Sequence, residues 1–236
     1  TAQRDAESGI AAWAEADHAS TRLDGDGNAA QARLSGNTTL VGADLQLDGG
    51  WRFGLLGGAG KADLNLRDRG SKADVDATYA GVYLGQQWAG FGVRAGYSHA
   101  WQELETERTI AFAGLQEGAH ARYDATTRQA FVEAGYRFGV GRTELEPFAQ
   151  FAQVRVETDG RREDGGIAAL TVAGDTQKAQ LSTAGVRFNA NLSGSGQAQS
   201  WLSLRGSVAY RRAHGDIAPT ATAAFASGPA FSVAGA

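Results

Sequence analysis

The stretch Phe91-Gly-Val-Arg-Ala-Gly-Tyr-Ser-His-Ala-Trp101 decides the fold class of this chain. Its residues alternate strictly between two sets, and in an extended backbone each set points to its own side. A helix would need a spacing of three and four residues, which this stretch lacks. The sequence therefore predicts a β-strand with one mostly apolar face and one face of small and polar residues. The apolar face carries Phe91, Val93, Ala95, Tyr97, His99 and Trp101.

Further segments show the same alternation, some strongly and some weakly. They lie around Trp13 and at residues 41–47, 51–57, 79–87, 130–138, 145–156, 181–188 and 202–211. Together with the first stretch they predict nine strands and an all-β fold. In the seventh strand, Glu146 and Gln150 disturb the alternation, so its facing stays open.

The composition narrows the classes of function. The chain has 236 residues with 33 glycines, 3 prolines and 42% hydrophobic residues, which fits one folded all-β domain and not a disordered chain. The formal net charge of −4 comes without a basic stripe, so we expect no nucleic-acid partner. The absence of cysteine excludes disulfides and thiolate zinc, and the 4 scattered histidines lack metal-site spacing. We therefore expect no metal and no cofactor.

Alternation alone leaves two architectures open: a soluble all-β module, such as an adhesin- or lectin-like surface binding domain, and a membrane barrel. The connections distinguish them, because short and long ones alternate along the chain. Short connections lie at residues 48–50, 89–90, 139–142 and 193–199, and long ones at 24–36, 67–74, 107–125, 159–175 and after residue 214. Outer-membrane barrels have short periplasmic turns and long outer loops. The rhythm therefore predicts an antiparallel up-and-down transmembrane β-barrel.

Two groups of side chains support the barrel. Aromatic residues near the short turns would form a girdle at one membrane–water interface. They are Trp51, Phe91, Phe138, Phe148 and Trp201. Charged residues on the polar face would line a wet lumen, although in a sandwich they would simply face solvent. They are Asp44, Arg94, Glu133, Arg137, Arg155, Arg187 and Arg205.

Several short strings, in this order and spacing, match a known family. They are Asp24-Gly-Asp-Gly-Asn28, Leu40-Val-Gly-Ala-Asp44, Trp51-Arg-Phe-Gly54, Asp124-Ala-Thr-Thr-Arg-Gln-Ala-Phe131, Glu133-Ala-Gly-Tyr-Arg-Phe138, Leu145-Glu-Pro-Phe-Ala149, Gly165-Gly-Ile-Ala-Ala-Leu170 and Pro219-Thr-Ala-Thr222. Through them the chain resembles the autotransporter β-domain of type V secretion over nearly its whole length.

The resemblance implies a twelve-stranded barrel in the Gram-negative outer membrane, with an α-helix in its pore that leads to an N-terminal passenger on the cell surface. The implied partners are outer-membrane lipid, the chain's own passenger and pore helix, and the barrel-assembly machinery. The resemblance also implies a monomer that is a translocator and anchor, and not an enzyme. Residues 1–8 then correspond to a remnant of the linker to the passenger, and residues 9–236 to the barrel domain. Because the family pattern continues through further strands, we expect the domain to be incomplete at its C-terminus.

Two carboxylate-bearing segments invite a functional interpretation. Asp24–Asn28 resembles the start of a calcium loop, but the twelfth position is Ser35 where an acidic ligand is required, so a glycine-rich outer loop is favoured. Some autotransporters cut their passenger inside the pore with acidic lumen residues, a role that Asp44 and Glu133 could fill. The short N-terminal segment has no Asn-Asn junction to cut. We therefore assign these carboxylates to packing and hydration of the pore.

Two histidine–carboxylate pairs could be imagined as hydrolase dyads at a barrel rim. They are His214 with Asp216, and Asp17 with His18. A dyad needs a base oriented by a carboxylate beside an activated nucleophile or water. Adjacent residues of a strand point to opposite faces, which argues against the second pair. The sequence thus favours polar strand-end residues at both places, and no catalytic residue is assigned.

Overall fold

The computed structural model describes residues 3–4, 9–24, 31–66, 70–112, 114–191, 203–216 and 220–234. Strands and turns dominate, with one short 3-10 turn at Asp48–Gly50. The strands are β1 (Gln3–Arg4), β2 (Ile10–Leu23), β3 (Ala32–Gln46), β4 (Trp51–Leu66), β5 (Ser71–Trp88), β6 (Phe91–Phe112), β7 (Leu115–Tyr136), β8 (Phe138–Val140), β9 (Thr143–Thr158), β10 (Arg161–Arg162), β11 (Asp164–Gly165), β12 (Leu170–Val172), β13 (Asp175–Asn191), β14 (Ser203–Gly215), β15 (Thr220–Phe225) and β16 (Phe231–Ala234). Among these residues, no helix is long and apolar enough to cross a membrane.

The main sheet is an up-and-down meander. Its order is β1-β2-β3-β4-β5-β6-β7-β9-β13-β14, with β8 paired to β9 and β11 paired to β7. Every pairing is antiparallel, and each long strand pairs with the next long strand along the chain. Nine long strands make up this sheet within the described residues, which confirms the number and the antiparallel topology predicted from the alternation.

The short connections at residues 48–50, 89–90 and 139–142 lie together at one end of the sheet, where tight turns need residues with positive φ. The short connection predicted at residues 193–199 lies outside the described residues. Gly49 and Gly50 have φ of 74° and 81° in the turn between β3 and β4. Among the described residues, Ala89 is the one residue other than glycine with a positive φ, which is 48°. It lies in the two-residue turn between β5 and β6. Glycine adopts such angles without a steric cost, whereas a Cβ is strained there.

The connection between β6 and β7 differs from the expectation of a long loop at residues 107–125. The two strands have 22 residues each and pair without a break from Phe91↔Tyr136 up to Phe112↔Leu115. At about 3.3 Å per residue the hairpin is roughly 70 Å long, far more than the ~10 tilted residues that cross a bilayer. The alternation of the two faces continues beyond the apolar segment of each strand. The residues predicted to form a loop are therefore the outer part of a β-hairpin.

A second, small sheet lies at the long-loop end of the strands. It has the order β10-β12-β15-β16 and is built from the connection after β9 and from the segment after β14. Leu170 pairs with Phe225, and Phe225 packs against Phe231 with ring centroids 5.7 Å apart. Residues 170–172 of the connection after β9 therefore pair with residues 223–225 of the segment after β14.

Candidate functional site: the polar inner face

The two faces of the main sheet are buried to different extents. One face carries the small side chains that are almost completely buried, namely Ala77, Ala100, Ala119, Ala121, Ala125 and Ala152. The other exposes large apolar side chains, for example Leu55 at 54%, Val132 at 48% and Trp101 at 50%. A flat sheet would expose both faces equally, whereas here one face is much less exposed than the other. The sheet is therefore curved, with the small residues on its concave side. We call this side the inner face and the opposite side the outer face.

A charged cluster lies on the inner face near the short-turn end. We define it as Arg94 on β6, Glu133 on β7, Arg137 after β7, Glu146 on β9 and Arg187 on β13. Arg187 donates to both oxygens of Glu133, at 2.7 and 2.8 Å, and to Glu146 at 3.0 Å. Arg94 contacts the same two carboxylates at 3.1 and 3.2 Å. The cluster therefore joins β6, β7, β9 and β13 across the sheet.

Burial and the pairing of opposite charges make this cluster a rigid part of the sheet. The Glu133 side chain is 6% exposed and that of Glu146 is 13% exposed, whereas the arginines are one-third to one-half exposed. Arg137 adds a contact of 2.9 Å to Glu146. A carboxylate this buried would be costly without partners, and the guanidinium groups supply them. The exposed sides of the arginines leave the cluster facing the inner space.

Phe148 packs against this cluster on the inner face and does not lie in an outer girdle, which corrects the prediction from the sequence. The Arg187 guanidinium lies 3.8 Å from the centroid of the Phe148 ring. On β9, Glu146, Phe148 and Gln150 alternate with residues of the outer face and so share the inner face. Gln150 donates to Glu133 at 3.4 Å. The aromatic ring here lies against the Arg187 cation on the inner face.

A second inner-face network begins at Trp13, on the neighbouring part of the sheet. The Trp13 indole donates to the Tyr83 hydroxyl at 2.8 Å, and Tyr83 donates to Asp44 at 3.2 Å. Arg52 contacts the other Asp44 oxygen at 3.2 Å. The Tyr83 ring lies directly over Gly54, where a Cβ would collide with it. Glycine in the strand thus makes room for a side chain that reaches across the sheet.

The other predicted lumen residues divide between the faces. Arg205 pairs with Asn189, which is two residues from Arg187, so it lies on the inner face. Arg155 lies on the outer face, four residues from the exposed Phe151, and the expectation that it lines the lumen is corrected. Asp44, Arg94, Glu133, Arg137 and Arg187 are on the inner face, as described above.

Three other aromatic residues of the predicted girdle, Trp51, Phe91 and Phe138, lie on the outer face. Trp51 and Phe91 both pack against Trp88, at ring-centroid distances of 6.2 and 6.0 Å. Phe138 stacks on Tyr136 at 6.2 Å. All these rings are at the short-turn end and are 40–53% exposed. Trp201 lies outside the described residues.

The sequence did not reveal an inner-face contact at the long-loop end. Arg108 on β6 forms a bidentate pair with Glu163, with one contact at 3.2 Å. Glu117 on β7 accepts hydrogen bonds from the backbone amides of Ile167 and Ala168 at 3.2 and 3.1 Å. These contacts fold the connection after β9 onto the inner face. The partners are about 50 residues apart in sequence, so no local pattern signals them.

The weaker candidate sites gain no chemistry in the structure. The Asp216 carboxylate accepts from the backbone amide of Lys178 at 3.0 Å. His18 contacts Asn37 at 2.8 Å on the outer face, opposite Asp17. Ser35 lies within β3, and residues 25–30 of the calcium-like segment are outside the described residues. Within the described part of the chain, no group of three or more metal-ligating side chains occurs.

An antiparallel meander whose exposed face is apolar and whose inner face holds buried charges is the wall of an outer-membrane β-barrel. The chain belongs to the autotransporter β-domain family, whose model matches residues 12–236. It is therefore a translocator of the Gram-negative outer membrane, which supports export of a passenger.

Similar proteins agree with this placement. The translocator domain of autotransporter NalP from Neisseria meningitidis superposes with a TM-score of 0.69, at 15% identity, over 96% of this chain and 81% of that one. The β-domain of the Bordetella autotransporter BrkA gives a TM-score of 0.67, at 17% identity, over 97% and 93%. An extracellular serine protease of Serratia marcescens is 29% identical over 208 residues, which is 87% of this chain and 19% of that protein.

Proposed function

We propose that the inner face of this domain holds and guides the segment that leads to an N-terminal passenger, and that the domain itself carries out no catalysis. The observation that supports this is the charged cluster, in which two nearly buried carboxylates fix three arginines whose other sides are open. Such a wall offers hydrogen-bond donors to backbone carbonyls and to acidic side chains of a pore helix. It offers no arrangement of base and nucleophile.

The soluble alternative conflicts with the exposure of the outer face. An adhesin- or lectin-like module would need Val132, Tyr136 and Phe138 in a core. They are 48%, 53% and 40% exposed, next to further large apolar residues of the same face. Contiguous apolar surface of this kind marks contact with a membrane or a partner protein.

The partners of the domain follow from this role. The proposal includes lipid around the outer face, the domain's own passenger and pore helix within the inner face, the barrel-assembly machinery during insertion, and a monomer in the membrane. The passenger's activity is a separate proposal. The chain spans about a fifth of the length of the Serratia marcescens relative, so the protease activity in that name concerns a much longer protein. An extracellular serine protease is accordingly the first passenger activity to test.

The facing can be tested by spin labels, because the chain contains no cysteine that would have to be removed. Val132→Cys and Gln129→Cys place labels on the same strand but on opposite faces. The experiment uses the full-length protein in outer-membrane vesicles. We expect the label at residue 132 to collide mainly with oxygen dissolved in the lipid, and the label at residue 129 to collide mainly with a water-soluble nickel chelate. Equal access of the chelate to both labels would show that the outer face is in water, and it would rule out a β-barrel wall in the membrane.

Export can be tested separately with the full-length protein in a Gram-negative host. We expect the folded domain to run faster on a gel before boiling than after, and the passenger to be labelled on intact cells. Arg187→Glu, which places three carboxylates around one site, should reduce surface labelling of the passenger. Arg122→Glu on the outer face is the matched control. Normal labelling of the passenger in folded Arg187→Glu protein would contradict the role of the cluster.

A further inference from the structure

A row of cations crosses three adjacent strands on the outer face. Arg128 on β7 pairs directly with Arg155 on β9, and Arg155 pairs with Lys178 on β13. Directly opposite residues of antiparallel strands have Cβ atoms about 5 Å apart, and like charges at such positions destabilise a sheet. We call these three residues the basic row. Without an anion, the row works against the fold that brings it together.

The row lies where the apolar part of the outer face ends. On β7, the outer face runs from Tyr136 through Val132 and Ala130 to Arg128, its first charged residue. On β9, it runs from the exposed Phe151 to Arg155. Both strands continue toward the long-loop end, which is the cell-surface side of an outer-membrane barrel. The row is therefore at headgroup depth in the outer leaflet.

The charge of the row is incompletely neutralised by the protein. Among the described residues, Glu157 is the one carboxylate within ion-pair distance, at 3.4 Å from Arg128 and 2.5 Å from Arg155. Lys178 forms no ion pair with a described residue, and the buried Nε of Arg155 has no hydrogen-bond partner among them. The side chains of Arg128 and Arg155 remain 44% and 43% exposed. Asp216 lies opposite Lys178, but its carboxylate accepts from the Lys178 backbone amide at 3.0 Å and forms no ion pair with the Lys178 ammonium. Among the described residues, the three cations thus have Glu157 as their one ion-pair partner.

Elsewhere at this depth the charges are balanced. Lys61 on β4 is directly opposite Asp76 on β5 and contacts it at 2.6 Å. Six residues further along β7 toward the long-loop end, Arg122 is flanked by Glu103 and Glu105, at 3.3 and 3.1 Å. The excess of positive charge is therefore a local property of β7, β9 and β13 and not of the whole rim.

From this geometry we propose that the basic row binds a phosphate group of a phosphorylated glycolipid in the outer leaflet. A phosphate presents several acceptor oxygens, which suit guanidinium groups in bidentate contact and a neighbouring ammonium. The lipid's acyl chains would lie along the apolar part of the outer face below the row. The proposal rests on the domain's place in the outer membrane, which the Val132 and Gln129 labels test independently.

The test measures retention of a bisphosphorylated glycolipid, such as lipid A, by the full-length protein extracted in mild detergent. Native mass spectrometry counts the lipids that remain bound. We expect wild type to retain the bisphosphorylated glycolipid but not its dephosphorylated form. Arg155→Gln and Lys178→Gln should each lower retention roughly fivefold, the factor for one basic residue at an anionic membrane surface. Lys61→Gln is the matched control and should retain lipid as wild type does.

A gain of binding makes the test independent of folding defects. Glu157→Gln removes the carboxylate that pairs with Arg128 and Arg155. It should raise retention of the bisphosphorylated glycolipid several-fold and leave the heat-modifiable gel shift unchanged. Equal retention of the phosphorylated and dephosphorylated lipids, or equal loss in Lys61→Gln and Lys178→Gln, would overturn the proposal. So would binding of inorganic phosphate at the row without any lipid retention. Absence of the gel shift in the wild-type protein would contradict the β-barrel fold, on which the proposed function also depends.

Discussion

Replacing Glu133 by glutamine tests the charged cluster as a source of stability. Glutamine has nearly the same volume, so the change removes charge and leaves the packing intact. Wild-type Glu133 accepts two contacts from Arg187, at 2.7 and 2.8 Å, and one from Arg94 at 3.1 Å. Hydrogen bonds between charged groups each contribute about 1.5–3 kcal/mol in a protein.

The expected loss is smaller than the sum of these bonds. Both arginines are at least one-third exposed and keep Glu146 as a partner, at 3.0 and 3.2 Å. Solvent therefore screens part of the interaction, and the remaining carboxylate compensates for another part. We expect Glu133→Gln to lower the free energy of unfolding by about 2 kcal/mol. A double-mutant cycle with Arg187→Gln should give a coupling energy of about 1–2 kcal/mol.

The assay follows the folded form of the full-length protein, which migrates faster on a gel, through increasing urea concentrations in detergent. Glu103→Gln is the matched control, because Glu103 pairs with Arg122 on the outer face and both side chains are more than half exposed. Such an exposed pair contributes at most about 1 kcal/mol. Midpoints shifted equally in Glu133→Gln and Glu103→Gln would refute the assignment of a structural role to the buried carboxylate.

Three further perturbations test other parts of the fold. Val132→Arg should destabilise the barrel by about 2–4 kcal/mol, the cost of an arginine on the lipid face near the bilayer midplane. In a soluble module the loss of stability would not depend on the lipid. Urea midpoints measured in thick and thin bilayers separate these outcomes. Gly54→Ala should displace the Tyr83 ring and reduce folding yield, while the double variant with Tyr83→Ala should restore it; no rescue would contradict the contact. Arg108→Ala should release Glu163 and expose the connection after β9 to external protease on intact cells; unchanged cleavage would contradict the inward fold.

The strands and their antiparallel order could be predicted from the sequence, because period two is set by the backbone and each strand is long enough to show it. The length of β6 and β7 could not, since charged residues such as Glu103 and Arg122 normally indicate loops. In the structure they are opposite charges in neighbouring positions of a hairpin that continues beyond the membrane.

The facing of aromatic and charged residues was predicted less well. The position of Phe148 near a short turn predicts a place in the girdle, while Glu146 and Gln150, two residues away on either side, leave the facing of this strand open in the sequence. The charge of Arg155 predicts a place in the lumen, whereas its position four residues from Phe151 puts both side chains on the same face. Contacts between distant parts of the chain, such as Arg108 with Glu163, depend on how the outer connections fold, and a local pattern holds no information about them.

The buried alanines of the inner face have a consequence for movement. They lie mostly beyond the charged cluster, toward the cell surface, and include Ala77, Ala119, Ala121 and Ala125. Alanine has neither a side-chain hydrogen-bonding group nor a flexible chain that could entangle a passing polypeptide. Arg108, Glu117 and the connection after β9 interrupt this surface at the long-loop end. An unfolded chain would therefore slide most easily over the part between the charged cluster and that connection, and it would have to pass the connection to leave.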